Sequence, residues 1–205
     1  MKIIGIYLAA GNSTRMGTHK LALPVGTMSL GSLALETALN SPLDEIFVIT
    51  KDTDDTEWIP SHMKSNAKCT IIQCPTSNEG QSESLHCGIQ HAQERHADGV
   101  LVMLADQPFI TVQMLSEMIT CMSEKPDCRF VATTSKQVTM PPILFSAYMY
   151  PELLKLRGDK GARAILKGDF LQQGKLLNCN DKRLVFDVDT VKDYETLKAL
   201  NKGNE

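Results

Sequence analysis

The amino-acid sequence predicts an α/β fold, a three-layer sandwich on a mainly parallel sheet. Two observations carry this: five short apolar runs rich in β-branched residues recur along the 205 residues, and helical periodicities fill the intervals between them. Strands covered on both faces read as continuous apolar runs, and a helical crossover between two of them returns the second parallel to the first. No repeat, low-complexity tract or linker interrupts the pattern, so residues 1–205 are expected to form a single domain. A chain of this length buries roughly 70% of the surface that its unfolded form exposes.

In order, the runs are IIGIYL (Ile3–Leu8), EIFVIT (45–50), CTIIQC (Cys69–Cys74), GVLVML (Gly99–Leu104) and RFVATT (129–134). Leu85, Ile89 and Ala92 share one helical face after the third run. Val112, Leu115 and Ile119 do so after the fourth, and Val191, Tyr194, Leu197 and Leu200 recur every third residue near the C-terminus. Ligands of open parallel sheets collect outside the carboxyl ends of the strands. The segments AAGNSTRMGTHK, PTSNEGQSES and ADQP, which follow the first, third and fourth runs, are therefore expected to meet and to carry the function.

Composition excludes several classes. An apolar fraction of 42% and a charged fraction of 22% are those of a globular protein. No apolar run approaches a membrane span, and the N-terminus leads straight into a strand, so a soluble cytoplasmic protein with no membrane partner is expected. The six cysteines form no CxxC or Cys/His cluster, which reads as scattered reduced thiols. A net charge of −3 is unsuited to a nucleic-acid surface. The charge is unevenly spread: no Asp or Glu precedes Glu36, while Lys2, Arg15 and Lys20 do. That makes the N-terminal region anion-seeking, and the acidic stretch at 44–57 reads mostly as a solvated loop.

The loop at 8–20 joins two glycines (Gly11, Gly17), two hydroxyls (Ser13, Thr14) and two cations (Arg15, Lys20) directly behind a buried strand. Backbone N–H groups freed by glycine can approach phosphate oxygens, and Arg15 and Lys20 add charge. The spacing is neither that of a Walker A loop nor GxGxxG. Against phosphate binding stands the plain alternative of a strand-to-helix turn with solvated cations. Asp106 ends the apolar run and precedes Gln107-Pro108, which places its carboxylate at the ligand edge either as a magnesium ligand or as a turn or cap residue. In Asp187-Val188-Asp189, alternate residues of a strand point the same way, so either aspartate can supply a second metal carboxylate; Asp189 or Thr190 can equally cap the last helix. Ser82 can cap its helix or touch a nucleotide. Asp159 and Arg163 in GDKGAR precede a predicted helix, ARAILKG, whose free N–H groups can receive an anionic acceptor, with Asp159 as its cap in the alternative reading. None of the five histidines pairs with Ser or Cys in a nucleophile signature.

The run LAAGNSTRMGTHKLALPVG resembles the signature LAAGxSxRMGxxKxLLP of nucleotidyltransferases with a glycosyltransferase-A-like Rossmann fold, in particular the molybdenum cofactor cytidylyltransferases. NEGQSESLHCG, LADQP, ILF, ELLKLRGDKGAR and FDVDTVKDYETL resemble that family's further motifs in the same order, so the likeness spans nearly the whole chain. The guanylyl branch tends to carry LAGG, so Ala10 points to the cytidylyl branch. Departures are Gln81 for a Met, Val191 for a Pro, and Met140-Pro141-Pro142 where Gly-His-Pro or Gly-Asn-Pro is usual. The last of these faces the acceptor in the family, so the acceptor is less defined than the nucleotide.

The resemblance implies CMP transfer from CTP to molybdopterin with release of pyrophosphate. The product is a cytosine dinucleotide cofactor for a molybdenum hydroxylase of the xanthine dehydrogenase type, in purine catabolism. It implies that Leu8, Ala9, Ala10, Gly11, Arg15, Lys20 and Ser82 bind the nucleotide, and that Arg15, Lys20 and Asp106 act in catalysis. Asp106 and Asp189 would hold Mg2+, and Asp159 and Arg163 the acceptor. Another NTP, a sugar or alcohol phosphate acceptor, or a non-catalytic cofactor-delivery chaperone remain as alternatives.

Overall fold

The structure, a computed structural model, describes residues 1–11 and 16–201. Its elements are β1 (Ile3–Leu8), β2 (Pro24–Val25), β3 (Met28–Ser29), α1 (Leu30–Leu39), β4 (Glu45–Lys51), α2 (Ser61–Lys64), β5 (Cys69–Cys74), α3 (Gln81–Glu94), β6 (Gly99–Leu104), α4 (Val112–Ser123), β7 (Phe130–Ser135), β8 (Val138–Ser146), α5 (Tyr150–Leu153), β9 (Lys175–Asn178) and α6 (Val191–Asn201). Seven strands form one sheet in the order β5-β4-β1-β6-β8-β7-β9, while β2 and β3 make a small hairpin. β1 pairs parallel with β4 and β6, and β4 with β5. β8 alone is reversed, antiparallel to both β6 and β7, and β9 returns parallel to β7.

Strand periodicity builds the layers. On β1, Ile3 and Tyr7 enter one core with Leu35, Met63, Leu115 and Met118, whereas Ile4, Ile6 and Leu8 enter the other with Leu85, Ile89 and Leu153. The sheet is thus covered by α1, α2 and α4 on one face and by α3 and α5 on the other, the predicted three layers. Gly88 lets α3 ride close over β1, since a Cβ there would stand 2.7 Å from a methyl of Ile6. A third cluster of Val25, Leu30, Val188 and Leu197 seats α6 on the hairpin and holds the 187–189 segment over the ends of the central strands.

Four expectations need correction. The strand at 129–134 begins one residue later and is followed by β8, which the apolar pattern did not announce. Pro141 and Pro142 interrupt its ladder: the β7 register jumps from Ala132↔Ile143 to Thr133↔Met140, because proline cannot donate the bonds that a regular strand needs. Val112 and Val191, expected on buried faces, are exposed at the first residue of their helices, and Met118 and Met122 complete the inner face of α4 instead. ARAILKG forms only a 3-10 turn, Ala162–Ile165, with no side-chain cap, so the expected helix N-terminus for an anion is not built. Lastly, 187–189 is an irregular segment, not a strand, and Val188 N–H donates to the Asp106 carbonyl (3.0 Å). Among the described residues, no helix is long and apolar enough to cross a membrane.

Candidate active site

The carboxyl ends of β1 and β6 lie side by side, and the chain leaving them is locked: Ala105 N–H donates to Leu8 O (3.1 Å) and Ala9 N–H to Ile49 O (2.9 Å). This sets the backbone of residues 8–11 beside Asp106. Leu8, Ala9 and Gly11 line a crevice with Lys20 and Asp106, and Ala9 and Gly11 also line a cleft of about 410 Å3 with Gly17, His19, Lys51 and Asp54. Ala10 is buried behind them. Arg15, with Ser13 and Thr14, lies outside the described residues.

Lys20 opens a 3-10 turn, Lys20–Ala22, and points inward, only 8% exposed. Its ammonium donates to Asp106 Oδ2 (2.7 Å), the Val188 carbonyl (3.0 Å) and Asp189 Oδ1 (3.1 Å). Burial works against that charge, but the two carboxylates outweigh it and hold the Lys20 pKa above the usual lysine range. Residues 86 and 169 positions away from Lys20 in sequence thus converge on one cation.

The helix-capping alternatives resolve against a merely local role. Thr111 caps α4, accepting from Met114 N–H (3.2 Å), so Asp106 has no cap to supply. Thr190 and Asp193 cap α6 reciprocally: Asp193 Oδ2 accepts from Thr190 N–H (2.8 Å) and Thr190 Oγ1 from Asp193 N–H (3.2 Å), which leaves the Asp189 carboxylate turned to Lys20. Asp187 stands at the mouth of a neighbouring cavity. Loss of solvation, and then the charges of Asp106 and Asp189, push its carboxyl up to about 6 against the opposing pull of Gln107 and Lys20. Three carboxylates, Asp106, Asp187 and Asp189, thus repel one another beside a single lysine, an arrangement that favours cations.

Among the described residues, no group of three or more His, Cys, Asp or Glu side chains is arranged to hold a metal by itself. Asp106 and Asp189 nevertheless fit a divalent ion that takes one or two carboxylates and fills its shell with water and phosphate. The oxygens of both already converge on one cation, the Lys20 ammonium, which is the observation behind that fit.

Beside this cluster, a cavity of about 210 Å3 joins Leu8 and Asp187 to Gln81, Met140, Asp159 and Arg163. It continues past Arg163 into a groove of about 630 Å3 bordered by Lys160 and Lys167. Of the three segments expected to meet, the first and third do so through Lys20 and Asp106, while the middle one reaches the neighbouring cavity through Gln81. Gly80, at φ 134°, carries the chain so close to Gly158 that any Cβ would strike its carbonyl, and Ser82 N–H donates to that carbonyl (3.0 Å). The helix is therefore capped by Gly158, not by Ser82. The Ser82 side chain is fully buried, 3.5 Å from Glu83 Oε1, so the nucleotide contact expected of it has no exposed surface to use.

Sequence reasoning missed three participants. The Val188 carbonyl leaves no side-chain signal. Lys51 ends β4, and its place at a strand's carboxyl end was the available clue. Asp54, within the acidic stretch read as mostly solvated, has a side chain only 5% exposed, 3.5 Å from His19 Nε2 and bonded by Trp58 Nε1. A further cavity, between α4 and the chain at 178–184, shares no lining residue with the cavities at Lys20 and Arg163.

Residues 5–176 match the family described as MobA-like NTP transferase domain. Over 200 residues, 96% of each chain, the sequence is 36% identical to purine catabolism protein PucB of Bacillus subtilis (strain 168). Among solved structures, the Mycobacterium sp. strain JC1 homologue of Mycobacterium tuberculosis Rv0371c has a TM-score of 0.81 at 26% identity, covering 99% of this chain and 98% of that one. Rv0371c from M. tuberculosis H37Rv, in a complex with manganese, has a TM-score of 0.77 at 23% identity over 97% and 99% of the two chains. The seven-stranded sheet, the family match and the near full-length likeness to PucB lead to one conclusion: the chain is a nucleotidyltransferase of the MobA-like NTP transferase family.

Proposed function

We propose that the chain acts as one domain that transfers CMP from CTP to the terminal phosphate of molybdopterin and releases pyrophosphate. The observation that carries this reading is the convergence of Lys20, Asp106 and Asp189 at the carboxyl edge of β1 and β6, with phosphate-sized room on both sides. In this assignment the triphosphate lies along residues 8–11 and the 410 Å3 cleft, with Arg15 and Lys20 offsetting its charge. The acceptor enters past Asp159 and Arg163. Asp106 with Asp189 would hold Mg2+, with Asp187 at the acceptor side. The ion would polarise the α-phosphate and neutralise charge on the leaving group.

The remaining work is alignment. The crevice at Lys20 and Asp106 and the acceptor cavity share Leu8, which supports a reading in which acceptor phosphate and α-phosphorus are aligned there. The attacking phosphate is largely dianionic at neutral pH, with a second pKa of about 6, so no protein base is required. Preorganised charge at Lys20 serves the pyrophosphate as it departs. The Rv0371c structure is a complex with manganese, which supports a divalent ion, and PucB is named for purine catabolism, which supports a role in that process. We extend this to a product destined for a molybdenum hydroxylase such as xanthine dehydrogenase in the cytoplasm.

The test is pyrophosphate release from each of the four NTPs with molybdopterin and magnesium, with mass spectrometry of the product. CTP is expected to exceed GTP at least tenfold in kcat/KM. A tenfold advantage for GTP overturns the cytidylyl assignment, and absence of release with any NTP overturns the enzyme reading in favour of a carrier.

A further inference from the structure

We infer that Lys20 is the resident counter-cation of the metal-binding carboxylates, and that a divalent ion gains Asp106 and Asp189 only as the polyphosphate of a nucleotide draws the lysine away. This rests on the metal-dependent transfer proposed above and adds a binding order to it. The three acceptors of the Lys20 ammonium, at 2.7 to 3.1 Å, include both carboxylates assigned to the ion. An ammonium and a divalent cation compete for those oxygens at contact distance, because two positive centres a few ångströms apart repel. One must yield.

The local architecture gives the lysine somewhere to go. Its turn follows Gly17, at φ 66°, and the exposed residues Thr18 and His19, all three of which border the 410 Å3 cleft. An anionic ligand in that cleft offers the ammonium phosphate oxygens in exchange for carboxylate ones. With the lysine in place, one positive charge offsets part of the carboxylates' charge and occupies oxygens that a divalent ion would take. Without it, Asp106 and Asp189 lose that share of compensation and those oxygens are open to the ion. Linkage requires the effect to be mutual: nucleotide tightens metal, and metal tightens nucleotide, by the same factor.

Binding of Mn2+, followed by electron paramagnetic resonance of the free ion, tests this without turnover. Lys20→Met keeps the length of the side chain and removes its charge, and is expected to bind Mn2+ alone at least tenfold more tightly than wild type. Adding Asp106→Asn to that variant should abolish the gain. A melting curve confirms that the variant is folded. If it is not, Lys20→Gln is measured in its place with the same expectation, and in wild type the Mn2+ affinity should rise at least tenfold with α,β-methylene-CTP, beyond what the nucleotide itself chelates. Equal or weaker Mn2+ binding by folded Lys20→Met, alongside nucleotide-dependent tightening in wild type, overturns the counter-cation role and leaves the metal-dependent transferase intact. Failure of wild type to bind Mn2+ even with the nucleotide analogue overturns both.

Discussion

The parallel half of the sheet and the half built on the reversed strand β8 end at the same edge, yet they hold charge in opposite ways. In the first half, Lys20 is buried among three oxygens fixed by β1, β6 and the chain before α6. In the second, Arg163, Lys160 and Lys167 are exposed along an open groove behind a four-residue 3-10 turn. The difference teaches where each kind of specificity resides. Buried, preorganised charge acts on the transition state, and exposed cations in a wide groove act on capture of an acceptor.

Mutations on the two sides should therefore differ in size and in kinetic signature. Lys20→Ala is expected to cost roughly 2 to 4 kcal/mol of transition-state stabilisation, seen as a loss in kcat at saturating CTP. A variant with wild-type kcat would place the lysine among merely structural ion pairs. Arg163→Ala should cost about 1 kcal/mol, appearing as a raised KM for the acceptor with kcat nearly unchanged, as for an exposed ion pair. Should kcat fall as far as in Lys20→Ala, the contrast between the halves is wrong.

The smallest effect concerns Asp187. Its folded pKa, raised to about 6, means that the native state binds more protons than the unfolded one between about pH 4 and 6. Stability therefore falls as pH rises through that window. Asp187→Asn removes the dependence and should be more stable at pH 7 in metal-free buffer, by roughly 1 kcal/mol or less because the residue lies at an open mouth. Melting temperatures of both proteins across pH 4 to 7 check the sign. A wild-type stability that rises relative to the variant over that range contradicts it.

The same division governs what could be read from the sequence. The parallel strands were legible because burial on both faces writes itself as unbroken apolar runs, and all four of β1, β4, β5 and β6 stand where those runs lie. Asp106 was legible for the same reason, as the first charge after such a run. β8 was not, because Met140, Pro141 and Pro142 break its pattern, and β9 is an exposed edge with no apolar signal. ARAILKG has helical composition yet forms only one short turn, since tertiary context overrides weak propensity. The partnership of Lys20 with Asp189 spans most of the chain and has no local trace at all. Motif resemblance named both residues as site components, and only the fold shows them bonded to each other.

The account stands or falls on the carboxylate shared between Lys20 and the proposed metal, so the decisive comparison is wild type against Asp106→Asn. Magnesium-dependent pyrophosphate release from CTP and molybdopterin should drop about a thousandfold, on the scale of losing a preorganised charge at the reacting phosphate. The melting temperature should fall by only about 2 to 4 °C, the shift that about 1 kcal/mol makes in a chain of this length. Lys20 keeps Asp189 and the Val188 carbonyl, and Asp187 loses a like-charged neighbour, so the fold has compensations that the chemistry lacks. Turnover within about tenfold of wild type at equal magnesium would show that Asp106 is not where the cation acts, and the assignment of this cluster as the reaction centre would be lost with it.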